Sequence, residues 1–185
     1  MRAALILIAI SGAVLASESR DDSCTASPNG QFRACVVKVA ETNTRRLELR
    51  SKDGKSLYSS PSQIDGEDVF DFYPQHLLWS PDSKVLAIGG GHWRKIQTYL
   101  FAWDGVGFNQ ISLPALSANS DYDNAWVLPA EWKSDDRLIL SISGPHAGKA
   151  GAKGYSGKAY IGVDPIRKSA TKINERIIRL PAEAR

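Results

Sequence analysis

At 185 residues, the chain is long enough for one domain with a sizeable core. Its formal net charge of +3 is too mild to imply a nucleic-acid partner. With only 3 histidines and 2 cysteines, few metal-binding or nucleophilic constellations are open to it.

The chain starts Met1-Arg2 and runs apolar from Ala3 to Ala16, with small residues near the end of the run. That pattern predicts a signal peptide over 1–16, cleaved after Ala16, and a periplasmic or secreted product over 17–185. An uncleaved anchor needs about 20 apolar residues. No other stretch approaches that length, so no stable membrane span is expected after cleavage. Cys24 and Cys35 then sit symmetrically about Asn29-Gly30. If that pair forms a hairpin turn, the cysteines oppose each other across two antiparallel strands in an oxidising compartment, and a disulfide is expected.

A turn-and-strand unit recurs every 53 residues: Ala26-Ser27-Pro28-Asn29-Gly30-Gln31-Phe32, Trp79-Ser80-Pro81-Asp82-Ser83-Lys84-Val85, and Trp132-Lys133-Ser134-Asp135-Asp136-Arg137-Leu138. The spacing maps Asn29 onto Asp82 and Asp135, and Trp79 onto Trp132. After each turn comes an apolar strand (Phe32 to Val39, Val85 to Ile88, Leu138 to Ile142). A second follows at Arg46 to Arg50, Thr98 to Trp103 and Ala159 to Val163. Turns at Asp53-Gly54, Asp104-Gly105 and Asp164-Pro165 lead to short last strands near Leu57, Ile111 to Leu113 and Thr171 to Ile173. The tail from Asn174 to Arg185 reads as a strand or as one helical turn. Periodicity near 50 residues with four strands per period predicts repeated β-meanders. The expected fold is all-β, with three four-stranded antiparallel blade-like sheets over roughly 22–60, 70–114 and 125–173.

The run Trp79-Ser80-Pro81-Asp82-Ser83-Lys84-Val85-Leu86-Ala87 resembles the W-S-P-D-G-K-x-L-A repeat of TolB-like β-propellers, which is also seen in the propeller domains of prolyl-oligopeptidase relatives. The first unit matches as Ser27-Pro28-Asn29-Gly30-Gln31, and the third only as Ser134-Asp135-Asp136-Arg137-Leu138. The resemblance implies a binding platform and says little about activity. Three units fall short of the four to eight blades that close a ring. The array is therefore open, or completed as a homodimer, or covered by a partner on its edges.

Two acidic loops lie between units, Asp65-Gly66-Glu67-Asp68-Val69-Phe70-Asp71 and Asn119-Ser120-Asp121-Tyr122-Asp123-Asn124. The second lacks the glycine and the bidentate glutamate of a calcium loop, so both read as solvated linkers with no metal. Gly89-Gly90-Gly91-His92-Trp93-Arg94-Lys95 reads as a loop whose His92, Trp93, Arg94 and Lys95 suit an anionic or sugar-like partner by stacking and charge. Its counterpart in the third unit, Gly144 to Lys158, carries His146, Lys149, Lys153 and Lys158 without an acidic residue. Both loops join second to third strands, so they are expected on one rim, as a surface for an acidic partner. The phosphate-loop pattern fails in this stretch. No G-x-S-x-G or H-E-x-x-H is present, and no catalytic residue or cofactor is assigned.

The functional expectation is an exported, non-enzymatic module that binds an envelope protein or another extracytoplasmic ligand. Two alternatives stay open. One is a carbohydrate- or small-ligand-binding protein or hydrolase using the His92/His146 rim, and the other is a self-assembling structural protein.

Overall fold

The computed structural model describes residues 23–39, 43–60, 71–92, 95–117, 125–144 and 154–179. The predicted signal peptide lies outside them. The described chain is almost wholly β. Its strands are β1 (Ser23–Ala26), β2 (Phe32–Val39), β3 (Thr44–Ser51), β4 (Ser56–Ser59), β5 (Asp71–Trp79) and β6 (Val85–His92). They continue with β7 (Lys95–Trp103), β8 (Phe108–Ile111), β9 (Trp126–Ser134), β10 (Arg137–Gly144), β11 (Tyr155–Asp164) and β12 (Ser169–Arg179). Among the described residues no helix is long and apolar enough to cross a membrane. The tail read as strand or helical turn is strand as far as Arg179.

Each repeat is an antiparallel meander: β1–β4, β5–β8 and β9–β12. The first stands as a four-stranded sheet, whereas the other two join into one eight-stranded mixed sheet. The expectation of three separate sheets therefore holds only for the first. The join is a parallel bridge between Ile96 of β7 and Trp126 of β9. At the matching place between the first two repeats, the backbone N–H of Arg45 donates instead to the Asp71 carboxylate, at 2.6 Å. A side chain there takes the hydrogen bond that would otherwise start a ladder.

The repeated turns share one mechanism. Ser27 Oγ donates to Asn29 Oδ1 at 2.8 Å and accepts the Phe32 N–H at 3.0 Å. Ser80 Oγ does the same with Asp82 (2.7 Å) and Val85 (2.9 Å). In the third repeat Ser134 Oγ donates to Asp136 at 2.6 Å, so Asp136 takes the role that the 53-residue spacing assigned to Asp135. The slip propagates. Trp103 N–H donates to Lys84 C=O and Val163 N–H to Asp136 C=O, which makes Arg137, not Leu138, the counterpart of Val85. A one-residue slip moves every side chain of a strand to the opposite face.

With that register, packing runs in one direction. Phe32, Ala34, Val36, Leu47 and Leu49 of the first meander pack against Leu86, Ile88, Phe101 and Trp79 of the second. The opposite face of the second, Val85, Ala87, Leu100 and Ala102, packs against Leu138, Leu140, Ile142, Ala159 and Ile161 of the third. Both tryptophans tie their repeat to the one before. Trp79 Nε1 donates to Thr25 C=O at 3.4 Å, and Trp132 Nε1 donates to Leu78 C=O at 3.3 Å. Thr25 and Leu78 are themselves 53 residues apart.

The outer face of the first meander is polar. Cys24 and Cys35 are directly opposed there and form the expected disulfide, with Cα atoms 4.0 Å apart. Beside it Glu48, opposite Cys35, accepts from Arg46 at 2.6 Å and from Arg50. Burial alone would raise the Glu48 carboxyl, but hydrogen bonds and charge from Arg50 and Arg46 outweigh it and hold the group below its ordinary 4.5. A folded-state value below the unfolded one adds stability above pH 4.5, lost as pH falls through the folded value. Glu48→Gln should therefore cost about 1 kcal/mol at neutral pH. In urea titrations its deficit against wild type should close as the pH is lowered toward ~3. A deficit independent of pH would exclude this linkage.

Candidate functional site: the rim between the second and third meanders

Hydrogen-bond register places the ends of several strands in one row. Gly91 of β6 opposes Ile96 of β7, and Ile96 meets Trp126 of β9. Trp126 opposes Ser143 of β10, Ser143 opposes Ser156 of β11, and Ser156 opposes Ile178 of β12. The β6–β7 and β10–β11 connections therefore leave from one rim, with Trp126 between them. Its indole is 42% exposed, in a protein whose other described tryptophans are less open.

The glycine run is not a loop. Gly89 to His92 continue β6, and only 93–94 separate it from β7. The backbone explains these glycines by packing. A Cβ on Gly89 would lie 2.8 Å from Leu128 Cδ2 and 3.1 Å from His76 Cβ, and Gly91 has φ +129°. They allow close approach of neighbouring strands; nothing in their geometry is aimed at a ligand.

Of the proposed contact residues, His92 ends β6 half-buried and pairs in register with exposed Lys95 at the start of β7. Trp93, Arg94, His146, Lys149 and Lys153 lie outside the described residues. Lys158 opposes Ser141 and Arg176, two positions in from the rim. It therefore belongs with the open face of the third meander. Both acidic loops also fall outside the described residues, except Asp71, whose carboxylate is taken by the Arg45 N–H.

The other polar groups are structural. His76 is pushed below its ordinary value by burial, so it sits as a neutral imidazole against Gly89. The Asp104 carboxyl caps its turn, with Gly107 and Val106 N–H donating at 3.0 Å each and Lys168 at 3.0 Å; these bonds hold it well below the carboxylate range. Glu175 is raised by burial and lowered further by Ser117 and Lys172, for a net value below the usual one. Among the described residues no three His, Cys, Asp or Glu side chains stand together as a metal site.

Sequence reasoning missed Trp126. It occupies the position of Asp71 in the preceding repeat, and a lone aromatic where repeats disagree was the available signal. No protein-family model matches the chain, and no curated protein matches it.

Proposed function

We propose that the chain is an exported, non-enzymatic binding module that recognises an envelope protein or another extracytoplasmic ligand. On this reading it is an open array of three TolB-like blades, periplasmic or secreted. The observation that carries the reading is the rim row, which sets the ends of β6, β7, β10 and β11 in line with the half-exposed Trp126. An exposed aromatic at a sheet rim is an anchor of the kind that dominates binding energy at interfaces. The Cys24–Cys35 disulfide supports export, since such bridges persist in oxidising compartments.

The test places a photo-crosslinking residue at Gln97, beside the rim, or at Asp53 in the β3–β4 turn of the first meander, and treats native envelope and medium fractions. Repeated capture of one protein from the rim position alone is expected, reduced about 10-fold or more by Trp126→Ala with Lys95→Glu. Equal capture from both positions, or recovery of the chain itself only, overturns the reading.

A further inference from the structure

The stacking direction leaves one face without its cover. In the first two meanders this face is packed under the next meander, and Val85, Ala87, Leu100 and Ala102 are all 0% exposed. The corresponding face of the third is built from Arg137, Ile139 and Ser141 of β10, Lys158 and Tyr160 of β11, and the adjoining side of β12. Here Ile139 is buried at 4%, but Tyr160 is 38% exposed, and Ile173 and Ile178 are each 52% exposed. Two shallow grooves, of about 360 and 490 Å³, cross the face and meet at Tyr160 and Asn174.

The charge on this face is one-sided. Lys133 and Arg137 line the first groove and Lys158 and Arg176 the second, with no carboxylate lining either among the described residues. Lys133 pairs with exposed Glu131 at 2.7 Å. Arg137, Lys158 and Arg176 enter no ion pair among the described residues. Nearby Glu175 is already held by the Ser117 N–H and hydroxyl and by Lys172 at 3.1 Å.

Among the described residues, a second copy of the chain is poorly suited to supply the missing cover. By the stacking rule, the face that belongs there is the outer face of a first meander. Among the described residues of β2 and β3 that face carries Arg33, Arg46 and Arg50, and its acid, Glu48, is taken by two of them. Docked head to tail, two copies would set cation against cation. A copy would also bring Ala26 where Trp79 and Trp132 tie the other junctions, so no indole could donate to the carbonyl in β9.

We infer that the open face of the third meander docks an acidic partner polypeptide, laid against it as an extended β surface whose apolar side chains cover Tyr160, Ile173 and Ile178 and whose carboxylates meet Arg137, Lys158 and Arg176. This names a partner class under the binding-module reading, on a face separate from the rim.

The probe is a synthetic ten-residue peptide alternating valine or tyrosine with glutamate, compared with versions carrying serine or lysine in place of glutamate. Each is titrated into the ¹⁵N-labelled, disulfide-bonded protein and followed by amide shifts. The glutamate peptide is expected to bind at least about 10-fold tighter than the serine one, more weakly as salt rises, with shifts on β10, β11 and β12. Lys158→Glu with Arg176→Glu should reverse the preference toward the lysine peptide, while unchanged shifts in β2 and β3 report an intact fold. Equal affinity for the three peptides, or no binding at millimolar concentration, overturns the inference. Shifts confined to Ile96 and Trp126 overturn it and leave the rim reading standing. Concentration-dependent self-association mapped to this face would assign it to a second copy and overturn it as well.

Discussion

Replacing Trp79 by alanine is expected to lower the stability of the protein by about 3–5 kcal/mol. Trp79 is 9% exposed at the junction between the first two meanders. Its ring lies 6.2 Å from Phe32, in the preceding meander, and 5.8 Å from Phe108, in its own. Phe32 and Phe108 are themselves 5.1 Å apart, and Trp103 joins both. Truncation would open a void among the three remaining aromatic rings, Phe32, Trp103 and Phe108, which are held by backbone on two sheets, so little collapse can fill it. The Trp79 N–H to Thr25 carbonyl bond, at 3.4 Å, is long and contributes less than the ring. Trp79→Phe therefore separates the two effects and should cost distinctly less than the alanine. Trp132→Ala should also cost less, because Trp132 is only partly buried against its core. Urea unfolding followed by circular dichroism measures all three. A Trp79→Ala loss below about 1 kcal/mol would show that the junction does not carry the fold.

Removing the disulfide by Cys24→Ser with Cys35→Ser is expected to cost about 3 kcal/mol, and reduction of the wild type should reproduce the loss. The bridge closes a short loop, with a sequence separation of 11. Its effect on the unfolded chain is correspondingly modest. The folded state adds a second reason. β1 is a four-residue edge strand exposed along its whole length, so little but its ladder and the bridge hold it in place. Thr25, which follows Cys24, supplies the carbonyl that Trp79 uses. Without the bridge β1 should fray first, and hydrogen exchange at Cys24 to Ala26 should rise by more than exchange in β6. The two sets of substitutions share a partner, so their combined cost should fall short of the sum. Full additivity would mean that β1 stays docked without its covalent tie.

Much of the architecture was legible because hairpins are local. Ser, Pro and Asn or Asp at fixed offsets announce each turn, and alternating apolar runs announce the strands that follow. The Cys24–Cys35 pairing followed from symmetry about Asn29-Gly30. The closed loop is the longer Pro28 to Gln31, with Ser27 N–H bonded to Phe32 C=O at 2.9 Å. Glycine in sequence signals conformational freedom, so the run from Gly89 predicts a loop. The structure uses it to let Leu128 and His76 come close to β6, a contact between distant segments that no local pattern reports.

What the amino-acid sequence determined by itself is the all-β composition, the three repeats, their turn chemistry and the disulfide, all of which depend on residues a few positions apart. Tertiary structure alone decided which face of the third repeat is core. Its turn is shortened, and with the extra residue at Lys133 the ladder makes Arg137 the counterpart of Val85. Leu138, Leu140 and Ile142 turn inward as a result, and Tyr160 is left partly exposed on the opposite side. Spacing by 53 cannot reveal this, because a strand's two faces differ by a single residue of register. The joining of the second and third meanders was likewise decided by tertiary structure. One amide, that of Arg45, meets a carboxylate, whereas its equivalent at Ile96 meets a strand.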